Sequence, residues 1–289
     1  MIRQTTPRTR ATSPADASVC LDCGTSLVGE YCHVCGQRRL TPEQRRLVPF
    51  LKEALRHLTN LDGRLLRSLG FLLLLPGRLL VAFIAGSRRR YLSPIALFLT
   101  VNLVYFVSPT ITDLNLGLED QYVQHYGEWA RVLVDRRLAE GADATALERA
   151  FNAQSLNVGK LLVILHVPVF ALVLALLLPW RHLHATDHLA AGLYLAAFLL
   201  ASLVLALLLG TGAIMATQYL AGEPAMVIGA VRQLWLVAVI AWTIHLLRRG
   251  YGTSWWGAAW RVPLLLMGAM AGHVYFYRPL HFLITFWTA

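Results

Sequence analysis

Long stretches without charged residues dominate this sequence. Residues 91–112 and 161–180 contain no Lys, Arg, Asp or Glu, and each has about the 20 residues that a helix needs to cross a lipid bilayer. Three later stretches have the same apolar character. The sequence therefore predicts about five transmembrane helices, at residues 94–112, 161–180, 189–209, 226–247 and 255–277.

The overall composition indicates the same class of protein. Hydrophobic residues make up 56% of the 289 residues and charged residues only 15%, whereas soluble domains have about 45–50% and about 25%. This balance excludes a purely soluble globule, a chain disordered along its whole length and a disulfide-rich secreted scaffold. We expect an all-α polytopic membrane protein with small polar additions.

Residues 68–87 are apolar enough to cross a bilayer, but Pro76-Gly77-Arg78 interrupts them. An arginine at the bilayer centre costs about 2.5–3.5 kcal/mol on insertion scales, and proline breaks the helical hydrogen-bond ladder. Two half-helices that bend at Pro76-Gly77 avoid both costs. We therefore predict a re-entrant or interfacial helical hairpin, with Arg78 returning to the lipid headgroups or to protein. A single crossing is the alternative.

All four cysteines lie within sixteen residues and form two Cys-x-x-Cys pairs: Cys20, Cys23, Cys32 and Cys35. Four thiolates complete a tetrahedral shell and leave no open position, as in structural zinc sites. Gly24 and Gly36 follow the pairs, and glycine permits the tight turn that aims backbone amides at sulfur. A redox pair or disulfides fit less well, because no thioredoxin-like pattern and no apolar signal segment accompany the cysteines. We predict a zinc ribbon over residues 20–37, with structural Zn²⁺ as its cofactor.

The first third of the chain carries most of the positive charge. Residues 1–93 contain 15 Lys and Arg against 6 Asp and Glu. Residues 1–19 mix Thr, Ser, Pro and Arg, which predicts a disordered tail. Between residues 41 and 90, leucines spaced three and four apart predict a basic amphipathic helix ahead of the hairpin. We expect anionic lipid headgroups as the partner of these arginines, and nucleic acid is a less economical partner because the spans already bring the chain to a membrane.

An arginine cluster sets the expected orientation. Arg88, Arg89 and Arg90 follow the hairpin directly, and loop arginines stay on the cytoplasmic side. Together with Arg78, they are expected to contact lipid headgroups or a partner. A hairpin leaves this cluster on the same side as the ribbon, where thiols stay reduced. We therefore predict a cytoplasmic N-terminus.

The predicted loop between the first two spans, residues 113–157, contains eight Asp and Glu against four Arg. It should be external, and it is too long for plain coil. Apolar residues between Tyr122 and Leu138 predict one helix. Thr145 with Glu148 forms a candidate capping box for a second helix.

Polar residues inside the predicted spans are functional candidates by default. They include Asn102 and His166, and His166 is the histidine nearest to mid-span. Paired histidines could ligate haem or a metal ion or relay protons, but a structural hydrogen bond is the role that we favour for His166. His245 and His273 are expected near opposite membrane faces, which argues against their pairing. Because we find no phosphate-binding glycine loop, nucleophile elbow or intramembrane carboxylate pair, we predict no catalytic residues.

Two groups of motifs resemble those of a known family. The first is Cys20-x-x-Cys23-Gly24 with Tyr31-Cys32-x-x-Cys35-Gly36-Gln37. The second is Pro76-Gly77-Arg78 followed by Gly86-x-Arg88-Arg89-Arg90-Tyr91-x-x-Pro94. Over residues 20–106, the chain is similar to an uncharacterised bacterial family of integral membrane proteins, a domain of unknown function with an N-terminal zinc ribbon. The resemblance implies a zinc-bearing, multi-pass protein of the bacterial cytoplasmic (inner) membrane, and it supplies no catalytic residues.

These observations leave three hypotheses about function. The first is a membrane-embedded adaptor or regulatory module whose cytoplasmic zinc ribbon docks a protein partner. The second is a transporter or lipid-handling protein that the ribbon regulates. The third is a membrane enzyme that uses intramembrane histidine. We favour the first because the strongest site is a closed, structural one, and assembly into a homo-oligomer is left open.

Overall fold

A computed structural model describes six ranges of the chain, apart from the side chains of residues 216–219 and 224: residues 19–39, 63–87, 89–108, 116–178, 183–219 and 224–289. The predicted tail before Val19, the predicted amphipathic helix before residue 63 and Arg88 lie outside these ranges. No β-strand forms within them, although isolated antiparallel bridges join Val19 to Ser26 and Tyr31 to Arg38.

Eleven α-helices form in the described part of the chain. They are α1 (Arg64–Leu74), α2 (Pro76–Ile84), α3 (Pro94–Val107), α4 (Leu118–Gln121), α5 (Gly127–Ala139), α6 (Ala144–Leu162), α7 (His166–Leu177), α8 (Ala185–Tyr219), α9 (Pro224–His245), α10 (Trp255–Gly272) and α11 (Arg278–Thr288). A 3₁₀ turn, Val163–Leu165, joins α6 to α7. A π-helical turn follows α9 at Leu246–Gly250, and a second follows α10 at His273–Tyr277. The architecture is all-helical, as the sequence predicts.

Three helical segments are long and apolar enough to cross a membrane: Ala144–Leu177, Ala185–Met215 and Ala225–Gly250. The bent pair α1–α2 makes a fourth if its two helices are one broken span. Helices of this kind suggest a membrane protein. Among the described residues the predicted number of five is not reached. The reasons are that α3 covers only 14 residues and that tryptophan, glycine, Arg261 and Pro263 dilute the apolar character of α10.

The hairpin bends where the sequence predicts. Leu75 separates α1 from α2, whose axes differ by 117°, and Pro76 is the first residue of α2. Proline has no N–H to offer the Leu72 carbonyl one turn earlier. The Trp242 indole Nε1 replaces that donor with a hydrogen bond of 2.6 Å to the same carbonyl. The hairpin is therefore tied to α9 at its bend.

One end of the helical bundle, which we call the ribbon end, comprises the hairpin, the start of α8 and residues 246–254. Gly77 of α2 packs directly against Arg249. His188 of α8 lies with its Nδ1 atom 3.2 Å from the Tyr251 hydroxyl. The main apolar core begins here, with buried leucines of both hairpin helices, and continues along α3, α7, α8 and α9.

The opposite end, which we call the loop end, comprises α4, α5, the first half of α6 and α11. A second, smaller apolar core forms there around Phe151 and Phe282. Arg137 of α5 donates a hydrogen bond of 3.0 Å to the Phe286 carbonyl of α11. Most of the predicted loop 113–157 is therefore a folded helical layer that packs against the end of the chain.

The helix that contains the second predicted span begins earlier than the sequence predicts. α6 starts at Ala144 and continues through the 3₁₀ turn into α7, so the loop helix and the span form one segment of 34 residues. The Asp143 carboxylate accepts a hydrogen bond of 2.7 Å from the Ala146 amide, and the Thr145 hydroxyl donates to the same carboxylate. The predicted capping box at Thr145 and Glu148 is wrong, because Asp143 is the stronger N-cap residue and starts the helix first.

Candidate metal centre and a buried histidine chain

Two backbone turns of the same geometry carry the four cysteines. In the first turn, the Cys20 amide donates to the Thr25 carbonyl at 2.7 Å, and the Gly24 amide donates to the Cys20 carbonyl at 2.8 Å. The second turn repeats both bonds twelve residues later, through Cys32, Gln37 and Gly36. Gly24 and Gly36 have φ angles of +76° and +67°, which glycine adopts without the steric cost of a Cβ. Each turn thereby presents two sulfur atoms to one point.

The four sulfur atoms form one compact cluster. All lie within 4.8 Å of one another. The Cys20 and Cys35 sulfurs are 3.4 Å apart, and the Cys23 and Cys32 sulfurs are 3.5 Å apart. A tetrahedral shell with metal–sulfur bonds of about 2.3 Å has edges of about 3.8 Å. The cluster therefore has the size that one tetrahedral metal ion needs, and four ligands leave no position open for a substrate.

The thiols of the cluster differ in acidity. Hydrogen bonding to the Thr25 side chain and backbone lowers the pKa of Cys23 to about 6. At Cys35, the backbone hydrogen bond from Gln37 acts in the same direction, but burial and the neighbouring cysteine thiols raise the pKa to about 12. Thiolates this close repel one another, so the cluster takes its first negative charge readily and the later ones only beside a cation. This is the electrostatic reason why the four cysteines could bind a metal ion.

Polar contacts latch the ribbon onto the segment that follows the hairpin. The Asp22 side chain is 5% exposed; its carboxylate lies 3.5 Å from Arg90 Nε and accepts a hydrogen bond from the Ser87 hydroxyl. Arg90 Nη2 also donates to the Asp22 carbonyl at 2.9 Å. The buried Gln37 amide donates to the Gly86 carbonyl at 2.7 Å. Both cysteine turns therefore contribute to this contact, which we call the latch.

Three of the four arginines that the sequence groups together are described, and they lie in two different environments. Arg89 and Arg90 face the ribbon, so they contact protein within this chain. Arg78 is exposed on α2, and its guanidinium carbon lies 5.8 Å from the Phe71 ring centroid. Arg88 lies outside the described residues. The contact with lipid headgroups or a partner stays a prediction for this group.

We expect Asp22→Ala to undock the ribbon without emptying the metal site. The variant loses the acceptor for Ser87 and the ion pair with Arg90, and hydrogen bonds to charged groups contribute about 1.5–3 kcal/mol. Hydrogen–deuterium exchange of residues 83–92 should rise about tenfold or more, while bound metal stays unchanged. Glu30→Ala is the matched control, because its ion pair lies within the ribbon. Unchanged exchange in Asp22→Ala would contradict the latch.

A chain of hydrogen bonds links two histidines near the loop end. His166 Nδ1 lies 3.1 Å from the Val163 carbonyl, and His166 Nε2 lies 3.0 Å from His273 Nδ1. Arg278 Nε donates to His273 Nε2 at 3.2 Å, and Arg278 Nη1 donates to Gln124 Oε1 at 2.6 Å. A carbonyl can only accept and a guanidinium can only donate. The chain therefore runs in one direction, from Arg278 through both rings to Val163, and both imidazoles are neutral.

This direction uses every ring nitrogen of the pair. His166 and His273 each donate through Nδ1 and accept through Nε2, so neither ring has a lone pair left for haem or a metal ion. A second proton on either ring would set two donors against each other. The arrangement has the character of a structural hydrogen-bond network.

The two histidines lie where the helices depart from α geometry. His166 follows the 3₁₀ turn, and His273 begins the second π turn. Tyr277 and His281 follow His273 at four-residue intervals and donate to carbonyls of α6 at 3.1 Å and 3.0 Å. These three residues, which we call the histidine row, join the end of the chain to the continuous helix α6–α7.

The sequence argues against a pairing of His245 with His273, but it does not identify the actual partner of His273, which is His166 on α7. The sequence signal for a polar partner of His273 is the four-residue spacing of His273, Tyr277 and His281. That spacing places three polar rings on one helix face, and such a face needs polar groups opposite it.

The other predicted intramembrane candidate, Asn102, lies outside this network. It belongs to α3, and its buried Oδ1 atom has no hydrogen-bond partner within the ranges that the structure describes.

A cavity of about 310 Å³ lies at the ribbon end, and its lining consists of Leu178, Leu183, Tyr251, Gly252, Thr253, Ser254, Gly257 and Arg261. The polar candidates from the hairpin and the predicted spans, Arg78, Asn102 and His166, therefore do not line this cavity.

Comparison with known proteins gives a partial match. Residues 62–106 match a family described as "Protein of unknown function (DUF3667)". The matched region covers the hairpin, the arginine cluster and most of α3, and it includes neither the cysteine turns nor the histidine row. No curated protein matches the chain, and no solved structure does.

Proposed function

We propose that this chain is a multi-pass protein of the bacterial cytoplasmic membrane, and that its N-terminal zinc ribbon is a docking module for a cytoplasmic protein partner. The observation that carries the proposal is the compact cluster of four sulfurs, latched onto one end of an apolar helical bundle. A rigid ribbon held at a membrane surface is suited to binding a partner, and its closed ligand shell is unsuited to catalysis.

Zinc is the metal that the cluster fits best. Four cysteine thiolates at tetrahedral spacing are typical of structural zinc, and such soft ligands disfavour magnesium and calcium. The ribbon has almost no apolar core, since Cys20 and Cys32 are the buried hydrophobic residues within 19–39. The bound ion would therefore supply most of the folding free energy of this segment.

The distribution of charge supports a cytoplasmic ribbon end. Arg78, Arg248 and Arg249 lie there, in addition to the arginines of the latch, whereas the loop end contains most of the net-acidic segment 113–157. Arginines near spans are retained in the cytoplasm. The cytoplasm also keeps thiols reduced, as metal binding by cysteine requires.

Three large apolar side chains within residues 19–39 are more than half exposed. Val28 is 90% exposed, Val34 64% and Tyr31 60%. Exposed apolar residues gathered on one small module typically mark an interaction site. The partner that fits these side chains is a cytoplasmic protein with an apolar patch of its own.

The transport and enzyme hypotheses have less support. The ring nitrogens of His166 and His273 are engaged in hydrogen bonds, and a catalytic or metal-binding role would require breaking them. The ribbon-end cavity is not lined by Arg78, Asn102 or His166. We therefore favour the docking module.

Site-specific photo-crosslinking in living cells tests the docking module. A photoreactive amino acid at Val34 should give one discrete protein adduct, and the adduct should disappear when Cys20→Ser and Cys23→Ser remove two ligands. The same amino acid at Met267, an exposed apolar position of α10, is the control and should give no such adduct. The protein identified in the adduct, once purified, should bind the wild-type chain and not the cysteine variant.

Two results would overturn the proposal. One is an adduct at Val34 that persists in the cysteine variant, because binding would then not need a folded ribbon. The other is the same adduct at Met267, because the contact would then be a general one with the membrane domain.

A further inference from the structure

Two adjacent arginines lie on the π turn after α9, at the ribbon end. Such π turns are rare and frequently occur at functional sites. This one is in close backbone contact with α2, because Gly77 packs against Arg249 and a Cβ on Gly250 would collide with α2. The close approach brings Arg78, the chain neighbour of Gly77, beside Arg248 and Arg249.

Arg78, Arg248 and Arg249 all lie near the end of α9. The charges of Arg249, Arg248 and Arg78 all reach the His245 imidazole at the end of α9. Arg78 and Arg249 are exposed, so two of the three groups are open to a ligand from outside the bundle.

Arg248 is held in place, and no carboxylate of the described residues forms an ion pair with it. Its guanidinium carbon lies 3.6 Å from the Trp255 ring centroid, and its buried Nε has no hydrogen-bond partner within the described ranges. Two acidic residues of the ribbon and of the ribbon end have other partners. The Asp22 carboxylate pairs with Arg90 in the latch, and Asp187 accepts a hydrogen bond of 2.8 Å from the His184 amide just before α8. The site therefore has positive charge and hydrogen-bond donors to offer an anion.

We propose that Arg78, Arg248 and Arg249 bind the phosphate group of an anionic phospholipid. Guanidinium groups match phosphate oxygens with paired hydrogen bonds. Trp255 and Trp256 are exposed beside the site, and tryptophan collects at the level of the lipid headgroups. The bound lipid would hold the hairpin against α9. The proposal rests on the membrane location proposed above, but not on the docking role of the ribbon.

Native mass spectrometry of the full-length protein, delipidated in detergent, tests this site. When both lipids are added, the wild type should bind one phosphatidylglycerol per chain in preference to phosphatidylcholine. Arg78→Gln combined with Arg249→Gln removes two charges from the headgroup level, so the affinity for phosphatidylglycerol should fall about thirtyfold. Arg131→Gln combined with Arg136→Gln is the matched control, because both arginines are exposed on α5 at the loop end. This control should bind as the wild type does.

Further arms identify the source of the phosphate group. Inorganic phosphate or glycerol phosphate at millimolar concentration should not displace the lipid. Arg78→Lys keeps the charge but loses the planar fork, so it should bind with intermediate affinity and melt at the wild-type temperature even if the double variant fails to fold. The Cys20→Ser/Cys23→Ser variant should bind lipid normally, which separates this site from the docking module.

Three outcomes would overturn the proposal. The first is that the wild type, Arg78→Lys and the double variant bind phosphatidylglycerol with equal affinity. The second is that the wild type binds phosphatidylglycerol and phosphatidylcholine equally. The third is that inorganic phosphate displaces the lipid.

Discussion

Replacing Cys20 and Cys23 by serine is expected to reduce bound zinc from one ion per chain to none. Structural zinc contributes about 10–16 kcal/mol in small peptide sites at neutral pH, and the ribbon has no apolar core that could replace it. The ribbon should therefore unfold and release the latch at Asp22. Elemental mass spectrometry gives the amount and the identity of the metal, and limited proteolysis of residues 19–39 reports the loss of structure.

His33→Ala is the control for this experiment. His33 lies between two ligands but is exposed, and the four sulfurs already close the shell, so the variant should keep its zinc. Iron in place of zinc, or metal that survives the double serine substitution, would contradict the zinc ribbon.

A leucine at Gly272 is expected to destabilise the helical bundle by about 1–3 kcal/mol. Gly268 and Gly272 lie one turn apart on α10 and allow it to pack directly on α7. A Cβ on Gly268 would lie 2.8 Å from a Val173 methyl group, and a Cβ on Gly272 would collide with Val169. Small residues four apart are the usual means by which membrane helices approach this closely.

The same substitution should also open the hydrogen bond between His166 and His273, because Gly272 directly precedes His273. Unfolding in detergent, followed by circular dichroism, measures the loss of stability. Gly229→Leu is the matched control, since a Cβ on Gly229 of α9 has no neighbour within 4 Å, and it should unfold at the wild-type midpoint. Equal midpoints for the two variants would contradict the close contact between α7 and α10.

The parts of the structure that the sequence predicts are set by short-range patterns. The cysteine turns need only the spacing of two Cys-x-x-Cys pairs and the glycine after each, so local geometry brings the four sulfurs together. The bend before Pro76 follows from the missing N–H of proline. The apolar character of the long helices follows from composition over about 20 residues.

The latch and the hydrogen bond between His166 and His273 could not be predicted, because each joins residues far apart in the chain. Asp22 and Ser87 are 65 residues apart, and His166 and His273 are 107 residues apart. Periodicity assigns a residue to a helix face but does not say which other helix that face meets. The start of α6 shows a smaller error with a local cause. Thr145 and Glu148 satisfy the capping-box pattern, but Asp143 is the N-cap residue in the folded chain.

The order of residues along the chain also determines an order of assembly. The second cysteine turn closes at Gln37, well before α1 begins at Arg64, and a chain leaves the ribosome from its N-terminus. All four cysteines are therefore synthesised before any described helix, and the segment that the ribbon contacts, Gly86 to Arg90, is made later still. We expect the ribbon to bind its metal ion first and to form the latch once the hairpin has folded. Metal shortage during translation would act on the nascent chain, ahead of membrane insertion.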